Sequence, residues 1–336
     1  MKLERIAQSV VLADGRRRAA IAFIAGGLSA LAMPPFNAWP ALFVTMPVLV
    51  WLLDGAAGGR YFGAGAAAIA GWSFGFGYFV AGLYWIGHAF LVDARTFGWL
   101  LPVAVAGLPA YLALFTAAGL AVARIFWTRG PERIVTIAMA MTAAEWLRGH
   151  LLSGFPWNSF GYALTEPLAL AQIASAIGVW GLTFLALLIF PSAALLTDDP
   201  IDTRRPRLYV ISAVALIVAM AGYGAFRLAT TPTEFVPHVK LRIMQPNLPQ
   251  DAKFNYSAKA EVMERYLRLS DRSTGPQANG VRDFTHLIWP ESAFPFFLTR
   301  EPDAMAQIVN LIRPSTVQKS WVEFPSVAWI PGASPL

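Results

Sequence analysis

Seven apolar stretches between residues 19 and 228 limit what this chain can fold into. A helix needs about 17–25 mainly apolar residues to cross the hydrocarbon core of a bilayer. The first two stretches are short, whereas the third, fourth and sixth are long enough to be tilted or to contain a re-entrant turn. They comprise residues 19–33, 38–53, 61–91, 98–127, 134–152, 167–196 and 208–228. We therefore predict a polytopic α-helical membrane protein with about seven transmembrane helices.

The composition agrees with a membrane protein and indicates a domain boundary. Of 336 residues, 56% are hydrophobic and 14% are charged, whereas soluble domains average about 25% charged residues. Charged residues number 25 among the first 231 positions and 21 among the last 105. The change falls within the segment ATTPTEFVPH, which has the Pro/Thr content of a linker and joins the two parts. We predict a transmembrane domain at residues 1–231 and a water-facing domain at residues 232–336.

The distribution of lysine and arginine predicts the orientation in the membrane, because these residues are enriched in cytoplasmic loops. With a cytoplasmic N-terminus, twelve of them fall in cytoplasmic loops and three (Arg95, Arg148 and Arg227) on the other side. Residues 232–336 would then lie on the outer side of the membrane, which for the inner membrane of a bacterium means the periplasm. The net charge of +6 is on this interpretation a topology signal. No basic stripe with interleaved aromatics indicates nucleic-acid binding.

Residues 232–336 show alternating strand and helix patterns. VKLRIMQPNL and THLIWPE are short apolar runs typical of strands, and the segments that follow them, YSAKAEVMERYLRLSDR and PDAMAQIVNLI, have helical spacing. This order predicts a β-α-β unit with parallel strands. Ligands of such sheets meet residues just beyond the carboxyl ends of the strands, where Asn247 and Glu291 both fall. On the pattern alone, Glu291 is either an active-site carboxylate or a solvated cap at a strand end.

Five segments, in order along the chain, resemble the bacterial apolipoprotein N-acyltransferase family. They are LAMPPFNAWP, GFGYFVAGLYWIGHAF, EWLRGHLLSGFPWNSFGYAL, IMQPNLPQDAKFN and IWPESAFP. The resemblance implies that the membrane domain is followed by a nitrilase-like domain with an α-β-β-α sandwich fold. It also implies transfer of an acyl chain from a phospholipid, such as phosphatidylethanolamine, to the free α-amino group of the diacylglyceryl-cysteine of an apolipoprotein.

The family resemblance gives Glu291 a chemical role. These enzymes use a Glu, Lys and Cys triad with a thioester intermediate, and Glu291 in the WPE motif matches the general base. The carboxylate accepts the proton of the thiol and later that of the incoming amine, while the lysine stabilises the oxyanion. Trp289 and Phe294 are expected to shield the Glu291 carboxylate from water.

The chain departs from the family pattern at its C-terminal end. It contains no cysteine, and Lys319, the one lysine after Glu291, is too close to it to match the triad lysine. We expect that residues 232–336 comprise only the beginning of the catalytic domain, with a frameshift or gene end near Thr316 or Val317. The last 24 residues lack strand or helix periodicity. Such a domain would have open sheet edges and an unburied apolar face, and no N-acyltransferase turnover.

Three residues of the membrane domain are predicted to bind substrate. Glu145 and Arg148 are three positions apart in the fifth stretch, and they either satisfy each other or contact a lipid head group. Trp157 is either an interfacial aromatic residue or part of a loop that gates lipid, because in the family this loop lies near the active-site opening. Trp85 and His88 in the third stretch, and Gln245, Asn247 and Lys253 after the first strand, are weaker candidates for substrate contact than for packing or solvation.

Two other functions remain open on the sequence alone. The chain could be a non-catalytic remnant that binds lipid or lipoprotein, or a transporter, for which a buried Glu145 would also be suitable. Ordered family motifs and the lack of an inverted repeat count against transport. No cofactor or metal is predicted, because the four histidines are scattered without ligand spacing.

Overall fold

The computed structural model describes residues 2–56, 59–198, 206–249, 255–291, 293–312, 323–324 and 327–329. The chain divides into two compact units, Met1–Pro232 and Thr233–Leu336. We describe each of them separately.

The regular secondary structure in the described part of the first unit is helical. Its α-helices are α1 (Lys2–Val11), α2 (Gly15–Ser29), α3 (Leu42–Asp54), α4 (Gly59–Leu83), α5 (Ala94–Phe97), α6 (Leu101–Ile125), α7 (Arg133–His150), α8 (Leu168–Ala171), α9 (Ala174–Ile189) and α10 (Pro206–Thr230). Short 3-10 helices connect or extend them at Ala30–Ala32, Trp39–Ala41, Tyr84–Leu91, Gly98–Leu100, Phe160–Leu164 and Phe190–Thr197. Helix α1 was not predicted, because its apolar residues recur every three or four positions instead of forming a continuous stretch.

Four helical segments in the described part of the chain are long and apolar enough to cross a membrane. They are Gly63–Leu91, Ala94–Ile125, Ala174–Thr197 and Leu208–Thr230, and Trp39–Asp54 is a shorter apolar segment. This confirms that the chain is a membrane protein. The count of seven transmembrane helices stays a prediction, because no other helix of the described residues reaches that length and hydropathy.

Glycines bring helices α2 and α4 into backbone contact. A Cβ atom on Gly26 of α2 would lie 1.9 Å from the carbonyl oxygen of Phe74, and one on Gly77 of α4 would lie 2.1 Å from that of Phe23. Small residues at a membrane helix interface allow the two backbones to approach closely. The close contact places the buried Phe74 ring in the centre of the bundle, 6.4 Å from the ring of Phe160.

A buried arginine joins three chain segments at one end of the bundle. Arg133, at the start of α7, is 2% exposed, and its Nη1 and Nη2 donate to Asp198 at 3.0 and 2.6 Å. Its Nε lies 3.5 Å from Oδ1 of Asp54, at the end of α3. The ends of α3 and of the segment Phe190–Thr197 therefore lie beside the start of α7, as expected for helices that alternate in direction.

The second unit contains a small mixed sheet. Strand β1 (Leu241–Ile243) pairs in parallel with β2 (His286–Ile288), with Arg242 opposite Leu287, and helix α11 (Lys259–Ser270) connects them. The predicted parallel strand–helix–strand unit is thus confirmed. Helix α12 (Pro302–Ile312) follows.

Two further strands lie within the last 24 residues, where no strand was expected. Strand β3 (Glu323–Phe324) pairs with β4 (Val327–Trp329), and β4 runs antiparallel to β2, which gives the order β1-β2-β4-β3. Two- and three-residue strands are too short to give an alternating pattern, so periodicity does not reveal them. Thr316 and Val317 lie outside the described residues.

The core of the second unit lies on one face of the sheet. Leu287 and Trp289 are buried there with residues of α11 and α12, among them Tyr266 and Ile308. Burial raises the pKa of the Tyr266 hydroxyl to about 12. On β1, the side chains of Leu241 and Ile243 are 51% and 69% exposed, on the side opposite the buried Arg242.

Candidate functional site

Glu291 lies in a turn three residues after β2 ends at Ile288, and its side chain is exposed. The expectation that Trp289 and Phe294 shield the Glu291 carboxylate is wrong, because both rings pack against core residues instead. Trp289 is 7% exposed, and its Nε1 donates to Ser270 Oγ at 3.0 Å in the core under α11. The Phe294 ring packs at 5.2 Å from that of Trp289. The carboxylate is thus open to solvent and to a reaction partner.

The segment after β1 reaches the same edge of the sheet as Glu291. The backbone N–H of Met244 donates to the carbonyl oxygen of Ile288 at 2.9 Å and so continues the parallel ladder one residue beyond the end of β1. Gln245 and Asn247 follow, both exposed, and Asn247 has a left-handed backbone (φ 48°). Both predicted site segments therefore start at the carboxyl ends of neighbouring parallel strands. Lys253 lies outside the described residues.

In the membrane unit, Glu145 and Arg148 form a buried ion pair. Nη2 of Arg148 donates to Oε2 of Glu145 at 2.7 Å, and Nε donates to Oε1 at 3.3 Å. The side chain of Arg148 is 0% exposed and that of Glu145 is 3% exposed. The structure therefore contains the mutually satisfied pair, one of the two alternatives for these residues.

Arg148 also holds the loop that follows α7. Its Nη1 donates to the carbonyl oxygens of Phe155 and Trp157, the latter at 2.8 Å, and Nη2 donates to Ser159 Oγ at 3.2 Å. The guanidinium carbon lies 5.0 Å from the ring centre of Phe79 on α4. These contacts occupy the N–H groups with which Arg148 could otherwise bind a lipid head group. Arg148 therefore stabilises the loop and does not face solvent.

The held loop presents Trp157 at the surface. Trp157 and Trp85 are 47% and 45% exposed, and their rings stack with centroids 5.3 Å apart. Phe155 packs against Trp157 at 5.2 Å. The pattern placed Trp85 in the third stretch and Trp157 in the loop after the fifth, and the structure brings them together. His88 is exposed one turn away, at 6.4 Å from the ring of Tyr84.

The loop is shaped by left-handed backbone conformations. Leu152, Ser153 and Gly154 have φ values of 51°, 76° and 74°, and Asn158 has 56°. The carbonyl oxygen of Asn158 accepts a hydrogen bond from the buried Tyr78 hydroxyl at 2.8 Å. Tyr78, Phe79 and Ser159 were not predicted as parts of this site. A buried charge on an apolar helix was the signal that could have led to them, since such a charge requires partners.

The donor set of the described residues gives no indication of a metal site. Among them, no group of three or more His, Asp or Glu side chains could hold an ion. Glu291 has no hydrogen bond or ion pair with another residue in the part of the chain that the structure describes.

Comparison with known proteins gives these two sites a context. Residues 25–190 match the family model of the apolipoprotein N-acyltransferase N-terminal domain. Relatives named apolipoprotein N-acyltransferase occur in Rhodopseudomonas palustris (63% identical over 315 residues), Bradyrhizobium diazoefficiens (60% over 316) and Sinorhizobium fredii (40% over 320). Each match covers 94% of this chain and 59% of the relative.

The apolar helices and these matches define a bacterial membrane protein. The chain belongs to the apolipoprotein N-acyltransferase family, as its motifs predicted. It spans about three fifths of the length of the curated relatives it matches.

Proposed function

We propose that this chain serves the N-acylation of bacterial lipoproteins. The acyl donor is a membrane phospholipid of the phosphatidylethanolamine type, and the acceptor is the α-amino group of a diacylglyceryl-cysteine at the start of an apolipoprotein. The proposal rests chiefly on 63% identity over 94% of the chain with a relative that carries this name. The distribution of twelve against three basic residues supports an inner-membrane location, with the N-terminus in the cytoplasm and the second unit in the periplasm.

Glu291 is the general base of the proposed reaction. In the first half, a thiolate attacks the ester carbonyl of the phospholipid, a thioester forms and the lysophospholipid leaves with a proton. In the second half, the lipoprotein amine attacks the thioester and gives its proton to the base, an amide forms and the thiolate leaves. The exposed carboxylate of Glu291 beyond β2 is free to accept these protons. The polypeptide of residues 1–336 has no thiol, so by itself it should not turn over.

Trp157 is proposed to contact the acyl donor, with Glu145 and Arg148 as positioning residues. A half-exposed pair of stacked indoles matches the region where acyl chains meet head groups. The buried ion pair fixes the loop carbonyls and thereby the backbone that carries Trp157. Because both carboxylate oxygens of Glu145 are bonded to Arg148, this site does not favour the transport alternative.

A chimeric protein tests the proposed function. Residues 1–312 of this chain are joined to the part of the Rhodopseudomonas palustris relative that follows the residue aligned with Ile312. Acylation of a diacylglyceryl lipopeptide is measured with radiolabelled phosphatidylethanolamine in detergent micelles. We expect activity from the chimera and none from the polypeptide of residues 1–336.

In the chimera, Glu291→Gln should lower kcat/KM at least about 100-fold, the usual contribution of a general base. The control is Glu264→Gln, because Glu264 is an exposed glutamate on α11 of the same unit and should leave kcat/KM unchanged. Full activity of the Glu291→Gln chimera would show that Glu291 is only a solvated residue at a strand end. Turnover by residues 1–336 alone would refute the requirement for a thiol.

A further inference from the structure

Helix α1 carries an apolar stripe that is wider than its contact with the bundle. Residues Leu3, Ile6, Ala7 and Val10 recur at intervals of three or four and therefore share one side of the helix. Ala7 and Val10 are buried, at 5% and 6% exposure, whereas Leu3 and Ile6 are 46% and 54% exposed. Half of the stripe thus packs on the protein and half remains uncovered by the described residues.

The C-terminal end of α1 is fixed to the end of α3. A Cβ atom on Gly55 would lie 1.9 Å from the carbonyl oxygen of Val11, so the two backbones are in contact there. Arg18 bridges both segments, because its Nε donates to the Ala13 carbonyl at 3.0 Å and its Nη2 to the Gly55 carbonyl at 2.5 Å. Helix α1 can therefore not drift from this end of the bundle without breaking these bonds.

This end of the bundle is where the apolar helices stop. The ion pairs of Arg133 with Asp54 and Asp198 lie there, at the end of α3 and next to the segment Phe190–Thr197. Charged groups at the ends of membrane helices mark the boundary between hydrocarbon and head groups. Helix α1 is consequently held at the level of the head groups, with Leu3 and Ile6 exposed.

The charges near α1 indicate which surface covers this apolar edge. Among the described side chains here, Arg5 on α1 and Arg16 and Arg17 at the start of α2 are exposed, as are the acidic Glu4 and Asp14, so exposed basic groups outnumber acidic ones. An amphipathic helix with basic and apolar residues lies in the interface of an anionic leaflet, its apolar side among the acyl chains. Each arginine near such a surface adds to the attraction.

We infer that α1 is an interfacial helix that binds the anionic phospholipid surface of the adjacent leaflet. Leu3 and Ile6 insert at the level of the upper acyl chains, and Arg5, Arg16 and Arg17 bind phosphate-bearing head groups. The inference is independent of the proposed acyltransferase function, since it concerns neither Glu291 nor the loop after α7.

A spin label measures the depth of α1 in the full chain, which contains no natural cysteine. A nitroxide is attached to Ile6→Cys, or to Gln8→Cys as the matched control, because Gln8 is exposed on the polar side of the same helix. The protein is reconstituted in vesicles of pure phosphatidylcholine or of phosphatidylcholine with one quarter phosphatidylglycerol. Collision with oxygen and with a water-soluble nickel chelate reports the depth.

We expect the Ile6 label to be protected from nickel in phosphatidylglycerol vesicles and the Gln8 label to be accessible. Replacing Arg5, Arg16 and Arg17 with glutamine should lower the ratio of inserted to detached helix about 100-fold, roughly fivefold for each arginine. Arg18 is kept in that variant so that α1 stays docked on α3.

Three results would overturn the inference. The first is equal nickel access at positions 6 and 8 in anionic vesicles. The second is protection of position 6 that depends neither on phosphatidylglycerol nor on the three arginines. The third is magnetic broadening between labels, because that would show that a second copy of the chain covers the stripe.

Discussion

Among single residues, Arg148 has the most partners in the candidate site. Its guanidinium is bonded to Glu145 and to three groups of the following loop, and it is fully buried. A buried charge is tolerated only when it is paired and its donors are satisfied. Arg148 therefore links the stability of α7 to the shape of the surface around Trp157.

Replacing Arg148 with methionine should destabilise the membrane unit strongly. The change leaves the Glu145 carboxylate buried without its partner, which costs about 3–5 kcal/mol. Reversible unfolding in detergent micelles measures this loss. Arg95→Met is the control, because Arg95 is exposed on α5 and its replacement should stay within about 0.5 kcal/mol.

The double variant Glu145→Leu with Arg148→Met separates the two roles of Arg148, which are to neutralise Glu145 and to bind the loop. Removing both charges should recover most of the lost stability. The loop of residues 151–159 still lacks its hydrogen bonds to Arg148, so added protease should cleave it faster than in the unsubstituted chain. Stability equal to that of the single variant, or an unchanged cleavage rate, would contradict this division of roles.

The hydrogen-bonded group of Tyr256, Lys259 and Glu301 makes the stability of the second unit depend on pH. Tyr256 Oη donates to Glu301 Oε1 at 2.6 Å and accepts from Lys259 Nζ at 2.9 Å. These bonds from Tyr256, and then from Lys259, lower the pKa of Glu301, while bonds to Tyr256 and Glu301 raise the pKa of Lys259. The stabilisation is complete above the unfolded pKa of Glu, about 4.3, and below that of Lys, about 10.4.

The variant Glu301→Gln should be less stable than the natural chain between about pH 5 and pH 9. The difference should shrink as the pH falls through the lowered pKa of Glu301, since the carboxyl group is then protonated in both states. Thermal unfolding from pH 3 to pH 8 measures it, with Glu264→Gln as a control. A difference that does not change with pH would exclude the ionised pair as its source.

The position of Glu291 could be predicted from the sequence, but its surroundings could not. The apolar run followed by Pro-Glu places Glu291 after a strand, and the parallel pairing of β1 and β2 confirms that placement. Which way Trp289 turns depends on Ser270 and Tyr266, which are distant in sequence. The contacts of Arg148 with loop carbonyls could not be predicted either. Every residue has a backbone carbonyl group, so the sequence does not indicate which of them accept a hydrogen bond.

Among the elements, the pair α2 and α4 depends on glycine at specific positions. Gly26 and Gly77 have no room for a Cβ atom because the facing backbone occupies that space, whereas Gly65 on α4 has nothing within 4 Å. Gly65 and Gly77 therefore have opposite roles on the same helix. The sequence indicates only that glycines are frequent there, since their partners are known only from the packing.

Two matched substitutions test this contrast. Gly26→Ala should lower the free energy of unfolding by about 1–3 kcal/mol, because the helices must separate to admit the methyl group. Gly65→Ala should raise it by about 1 kcal/mol through helix propensity. Unfolding in mixed detergent micelles measures both. Equal effects of the same sign would mean that helix propensity alone determines the outcome.

For the whole molecule, the proposed orientation can be tested with single cysteines, since the natural chain has none. Thr128, between α6 and α7, and Ser273, after α11, are both exposed. In intact cells with a permeable outer membrane, a membrane-impermeant maleimide should label Ser273→Cys and not Thr128→Cys. After cell lysis, both should react. The reverse pattern in intact cells would invert the topology.

The contact of Arg133 with Asp54 and Asp198 also sets an order for biosynthesis. Asp198 follows Arg133 by 65 residues, and ribosomes add about 5–20 residues per second. For about 3–13 seconds, Arg133 is present in the nascent chain while its bidentate partner is still being made. During that interval, of these two carboxylates only Asp54 can neutralise Arg133, and the bidentate ion pair that ties the segment Phe190–Thr197 to the start of α7 forms after Asp198 has been added.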